Sequence, residues 1–426
     1  MAQIAPFRAL RFTEQAGEIS ELCCPPYDII SEDERLAYLS KNEHNIIRLE
    51  LPREGDNPYA EAGRTLRRWL ANGILAVDDE PAYYIYAQQF TVQGKVYALK
   101  GIIARVHIEE FERGIVLPHE ETLSKAKADR FSLMDATMCN FSQIYSLYHD
   151  DGNVTGLLID SLTDCQPAQQ FTDGAGVTHS LWAVKDKTAA ATITAQFADR
   201  RLFIADGHHR YETALNFRNH LRGTGRASVG DECDWCMMML VSLENKGLVV
   251  LPTHRIVHGL DNFDEQKLIS ACREHFDCVH YGDMSAMSGL LDQSRKHGQR
   301  SFALCCGDGF TLMTLRDTDA MDSAMPQASD ALRRLDVSIL HTLVLETALG
   351  IDRENMANQI NLSYTRDAAE AIAAVDSGDA NCCFIINPTG VDEISAVAAA
   401  GEKMPQKSTY FYPKLITGLV MNKFGQ

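Results

Sequence analysis

The sequence predicts a mixed α+β fold divided between two lobes, on three observations. AYYIYAQQF and VYALKGIIARVHI are rich in aromatic and β-branched residues and are parted by Gln93-Gly94, which reads as a hairpin. LFIA, Leu202 to Ala205, is a wholly apolar strand that runs through Asp206-Gly207 into a helical pattern of Tyr211, Ala214, Leu215 and Leu221, stopping near Gly223. From about residue 262 helical and strand-like segments alternate (FDEQKLISACREHF, FALCCG, LRRLDVSILHTLVLETALG, CCFIINP), which implies a C-terminal α/β lobe. The expected division is 1–261 for the N-terminal lobe and 262–426 for the C-terminal lobe.

The remaining elements follow in chain order. PPYDII, Pro25 to Ile30, reads as a rigid turn, and Ser31 with Glu34 three residues on forms a capping box for the next helix. Tyr59, Ala62, Leu66 and Trp69 recur at helical spacing over Pro58–Asn72, with Gly73 as the stop. Beyond the hairpin, LPHEETLSKAKADRFSLMDAT places Leu123, Ala126, Arg130 and Leu133 on one helical face behind His119-Glu120-Glu121. Lys125, Lys127 and Arg130 read as a solvated face of that helix. RGTGRASVGD is a flexible loop, CMMMLVSL and GLVVLP are buried strands, and DTDAMDSAMPQASD is a mobile connection. The chain shows no internal repeat.

Composition bounds the function. At roughly 150 residues per domain, 426 residues make two or three domains. Lys+Arg total 40 against 58 Asp+Glu, a net charge of −18, which repels phosphate backbones and anionic lipid. Nucleic acid and membrane are therefore not expected as partners, whereas a local pocket for a small anion is compatible. The first twenty residues lack the layout of a signal peptide, and the longest apolar runs fall far short of the ~18 residues of a spanning helix. Twelve cysteines, several of them adjacent, read as reduced thiols, and a cytoplasmic location is expected.

Four clusters carry chemistry. In Asp206-Gly207-His208-His209-Arg210 an apolar strand feeds a glycine turn that opens a helix, whose positive end favours an anion. The histidines and Arg210 add donors, and Asp206 can orient a histidine or hold Mg²⁺. The other reading is an aspartate N-cap with two surface histidines. His119-Glu120-Glu121 puts a carboxylate ahead of a helix, where it can act as general base or simply favour the dipole. His254-Arg255 ends an apolar strand, a place where binding residues occur. Lys407-Ser408-Thr409, followed by Tyr410 to Lys414, offers two lysines and two hydroxyls to an anion, although the P-loop spacing is absent. Cys233, Cys236, Cys272, His275 and Cys278 have ligand chemistry for zinc, but their apolar neighbours favour buried thiols.

PPYDII, PHEET, ADGHHRYETAL, LPTHR and MPQKSTYFYPKL, in this order, resemble the DUF1015 family over nearly the whole chain. DGHHR also resembles the phosphate-contacting turn of the ParB/sulfiredoxin superfamily, and within it the free-serine kinases. The resemblance implies a ParB/sulfiredoxin-like core with an N-terminal elaboration. It implies a small-molecule kinase, cytoplasmic and nucleotide-binding, that transfers a phosphoryl group to free L-serine or a similar hydroxy-amino acid. Glu120 would take the hydroxyl proton, and Asp206, His208, His209 and Arg210 would bind the moving phosphate and its Mg²⁺. Gly207, His119, His254, Arg255, Lys407, Ser408 and Thr409 complete the expected phosphate-binding set. The donor is ATP, ADP or pyrophosphate. The alternatives are a ParB-like nucleotide-binding or slowly hydrolysing switch and a non-catalytic metabolite-binding protein. A sulfiredoxin-like reaction would need a cysteine at the phosphate turn, and DGHHR has none.

Overall fold

In the computed structural model, which describes residues 1–120, 122 and 124–425, local sequence signals become elements much as expected. Ser31 caps the helix Glu32–Lys41 in a reciprocal capping box with Glu34. Asn57 caps the helix Pro58–Ala71, which buries Ala62, Leu66 and Trp69. Strands Tyr83–Val92 and Lys95–His107 pair antiparallel across Gln93 and Gly94. Both turn residues have positive φ, 50° and 76°, the geometry whose twist suits a two-residue hairpin.

The contacts separate two compact units, one of Met1–Pro118, Thr122–Val249 and Pro413–Gln426, the other of His119–Glu121 and Val250–Tyr412. This corrects a single cut at 261/262. Strand His254–Val257 hydrogen-bonds to Leu362–Thr365 and Cys382–Ile386, so it belongs to the second unit. The last segment instead returns to the first: Asn422–Lys423 pairs with Cys139–Asn140, and Thr417 bridges to Cys24.

The first unit is built on a nine-stranded sheet. Its middle strands run in the order Leu202–Asp206, Ile144–Tyr148, Trp235–Ser242, Lys95–His107 and Tyr83–Val92. Ile85, Ile102, Ala104, Met238, Leu240 and Ile204 join one core with Tyr211, Ala214 and Phe217 of helix His208–Gly223. Helix Ser124–Thr137 packs against both that helix and Pro58–Ala71. Its cations are not a solvated face. Arg130 is buried, pairs with Asp129 at 2.6 Å and lies 4.0 Å from the Tyr27 ring centre, while Lys127 reaches Glu212 at 2.7 Å. Glu121 and the Lys125 side chain lie outside the described residues.

In the second unit a six-stranded sheet runs Phe276–Tyr281, Gly309–Leu315, Ser301–Gly307, Cys382–Ile386, His254–Val257, Leu362–Thr365. Each neighbouring pair is antiparallel, so the alternation of helix and strand does not build parallel crossovers here. Both faces are covered. Phe302, Leu304, Cys382 and Phe384 pack on one side, and Ala303, Cys305, Cys383 and Ile385 on the other, the two-residue period of a doubly buried strand. Adjacent cysteines thus point to opposite faces, and all twelve are free thiols. The stretch expected as a mobile connection carries the helix Asp319–Ala324 and ends on the first residue of the helix Asp330–Arg333. Among the described residues, no helix is long and apolar enough to cross a membrane.

Candidate functional site

The Asp206–Arg210 turn arises from a break in strand pairing. Leu202–Asp206 buries its four apolar residues between Val116–Leu117 and Ile144–Tyr148. Its register against Ile144–Tyr148 shifts between Ile204 and Asp206, and such bulges re-aim the side chains next to them. Gly207 follows at φ 90°, ψ 28°, and is the N-cap of the sixteen-residue helix His208–Gly223. A Cβ on Gly207 would lie 2.9 Å from two nitrogens of the Arg210 guanidinium. Gly207→Ala should therefore cost at least the ~1–2 kcal/mol of a left-handed residue with a side chain and displace Arg210. Urea unfolding measures this; an unchanged midpoint would show that the turn does not need glycine.

Charge at this turn is compensated internally. Arg210 Nη2 donates to Asp206 Oδ2 at 2.7 Å, and its Nη1 donates to the Gln143 carbonyl at 2.5 Å. Lys414 Nζ donates to Asp206 Oδ1. Burial alone would raise the Asp206 pKa, but the Lys414 ammonium, then the Arg210 guanidinium and His208, outweigh it and hold the carboxyl well below its usual range. His208 is buried and His209 half-buried at the positive end of the helix. Mg²⁺ does not fit at Asp206. Both carboxylate oxygens already face cations, so a divalent ion would sit beside two positive charges sharing one carboxylate. Arg210 braces the turn, and Lys414, expected to contact an anion, neutralises Asp206 instead.

The second unit gathers a different set of expected residues. Glu120 pairs with Met404 in a parallel bridge, and Met404 N–H donates to the His119 carbonyl at 2.7 Å. Lys407, held at φ 58°, donates its backbone N–H to Glu120 Oε1 at 2.9 Å. His119 Nε2 lies 3.2 Å from Thr409 Oγ1. Ser408 is buried, with its hydroxyl on the Pro405 carbonyl. The Lys407-Ser408-Thr409 turn is thus the wall against which Glu120 is positioned.

His254 and Arg255 do not lie at a surface. Arg255 is fully buried and donates to the Thr253 carbonyl, to the Lys407 carbonyl at 3.2 Å and to His341 Nε2 at 3.2 Å, with its guanidinium 5.4 Å from the Tyr364 ring centre. Burial pulls its pKa down to about 10. His254 Nδ1 accepts from Ile386 N–H at 3.3 Å, and burial followed by Arg255 lowers its pKa to about 4. This neutral histidine and engaged arginine support the second unit from within and are removed from the expected phosphate ligands. His341 and Tyr364, which partner Arg255, were not singled out in the sequence. His341 stands in an apolar run and Tyr364 between Ser363 and Thr365, and only the fold brings them to the arginine.

No curated protein matches the chain. Among solved structures, it is similar to a free serine kinase in complex with AMP, at 12% identity over 76% of this chain and 91% of that one, with a TM-score of 0.37. A conserved hypothetical protein from Pyrococcus furiosus is similar at 13% identity over 75% and 95%, with a TM-score of 0.34. SbnI with a C-terminal truncation, from Staphylococcus aureus, is similar at 11% identity over 75% and 86%, with a TM-score of 0.35. The sequence itself matches a family described as "Protein of unknown function (DUF1015)" over residues 4–338, most of its length, and the chain belongs to that family.

Proposed function

We propose that this protein is a phosphotransferase that moves a phosphoryl group from a nucleotide or pyrophosphate to the hydroxyl of free L-serine or a similar hydroxy-amino acid. The observation that carries this reading is the strand–glycine–helix turn at Asp206–Arg210. There a sixteen-residue helix starts on a left-handed glycine, with two histidines in its first turn and its aspartate neutralised by Lys414 and Arg210. Phosphoryl transfer asks a protein mainly for positioning and for positive charge around the moving group. The helix start, His208 and His209 supply these, and Arg210 and Lys414 keep Asp206 from repelling the phosphate.

In the reaction the acceptor hydroxyl oxygen forms the new bond to phosphorus as the bond to the leaving phosphate breaks. The hydroxyl proton passes to the Glu120 carboxylate, the role that the DGHHR resemblance assigns to it. Lys407 N–H orients that carboxylate through Oε1. Asp206 is not given a metal-binding role.

Nucleotide turnover with and without serine tests the reading. Serine-dependent formation of phosphoserine is expected. Turnover indifferent to serine would favour a nucleotide switch, and binding without turnover would favour a metabolite-binding protein.

A further inference from the structure

The second unit encloses a cavity of about 230 Å³ beside the helical segment Leu340–Glu346. That segment is a π-helix, with Thr347 N–H bonding back to the Thr342 carbonyl at 3.3 Å. Its wide turn sets His341, Thr342 and Glu346 along the one cavity, with Ser338 of the preceding helix Asp336–Ile339 beside them, and π-turns recur at functional sites. Most of the lining lies beyond residue 338, where the family match stops.

The buried polar groups of the lining, Ser338 and His341, are uncharged and directional. Ser338 is 1% exposed, and its hydroxyl has no hydrogen-bond partner among the described residues. His341 is 6% exposed. Its Nε2 accepts from Arg255 Nε–H, which places the ring hydrogen on Nδ1. Burial, then Arg255, keeps the ring neutral. The two buried residues therefore offer one ring N–H donor and, three residues earlier, one hydroxyl that donates or accepts, and the half-buried Gln406 adds an amide. Met325, Met356, Met404 and Tyr364 supply soft, polarizable walls suited to a flat ring. Glu346 and Arg353 pair at 3.5 Å, and Arg353 and Lys403 are exposed, so fixed charge lies toward solvent.

We infer that this cavity binds an uncharged heteroaromatic group of the nucleobase type, whose ring nitrogen accepts from His341 Nδ1 and whose neighbouring polar edge meets Ser338. An aliphatic ligand would leave both polar groups unpaired. An anion would meet Arg353 and Lys403 only at the exposed rim, with Arg353 already paired to Glu346, and the donors of the buried Arg255 are spent on Thr253, Lys407 and His341. The inference does not depend on phosphoryl transfer, since a nucleoside carries no phosphate to donate.

Calorimetric titration of the full chain with adenosine tests it. The parent protein is expected to bind. Ser338→Ala, which removes an unpartnered hydroxyl, should fold normally and bind about tenfold more weakly, the worth of one hydrogen bond. Ala357→Phe, at a half-buried position on the cavity wall, should abolish binding with the melting temperature retained. No binding at millimolar adenosine, or binding that Ala357→Phe leaves intact, would overturn the assignment whatever the outcome of the serine assay.

Discussion

Glu120→Gln is expected to lose about 10²–10⁴-fold of serine-dependent phosphoryl transfer, the span of a general-base contribution. The fold should survive. Glutamine keeps a side-chain oxygen that can accept from Lys407 N–H, the bond that positions Glu120 at 2.9 Å. Nucleotide affinity should also survive, because the proposed phosphate grip belongs to the Asp206–Arg210 turn. Glu121→Gln is the control and should stay active. Phosphoserine production and nucleotide affinity, measured side by side for both variants, decide the matter. Full activity in Glu120→Gln would refute the base, and loss in Glu121→Gln alone would move it by one residue.

Lys414→Met is expected to destabilise the first unit by about 3 kcal/mol, the lower range for removing one partner of a buried ion pair. Lys414 and Asp206 side chains are only 10% and 15% exposed, so solvent screens little of the loss. Arg210 would remain as partner to Asp206, which limits the damage. The pH dependence has a definite sign. Asp206 has a folded pKa below its unfolded one, so its contribution is complete above the unfolded carboxyl range near pH 4 and is lost as pH falls toward the folded value. With Lys414 gone the folded pKa rises, and acid unfolding should begin at higher pH than in the parent. Identical urea midpoints at pH 7 would show that the pair contributes nothing to the fold.

What was legible in the sequence was local. Ser31 with Glu34, Gln93-Gly94, and the passage from LFIA through Gly207 into a helix each act over a few residues, and each is present. Strand periodicity carries no direction, so the second unit could not be read as antiparallel. DTDAMDSAMPQASD looked mobile because it is small and acidic, yet Met321 is buried and fixes its helix. The site partners were the least visible. Lys407 lies 287 residues from Glu120 and Lys414 lies 208 residues from Asp206, separations at which no spacing rule operates. His254 and Arg255 read as binding residues because strand ends are where such residues occur; here strand His254–Val257 is interior, and the arginine spends its donors on its own unit.

The return of residues 413–426 to the first unit sets an order on biosynthesis. A ribosome adding about 5–20 residues per second takes on the order of 10–40 s to travel from Asp206 to Lys414, a span of 208 residues. Throughout that interval the nascent turn has Arg210 but lacks its second cation, and Cys139–Asn140 lacks the strand that pairs with it. Val250–Tyr412, by contrast, emerges as one uninterrupted stretch, needing from earlier synthesis only His119–Glu121. The first part of the chain to be made is therefore the last to be completed, and a protein stalled before Lys414 would carry an aspartate held by one cation in place of two.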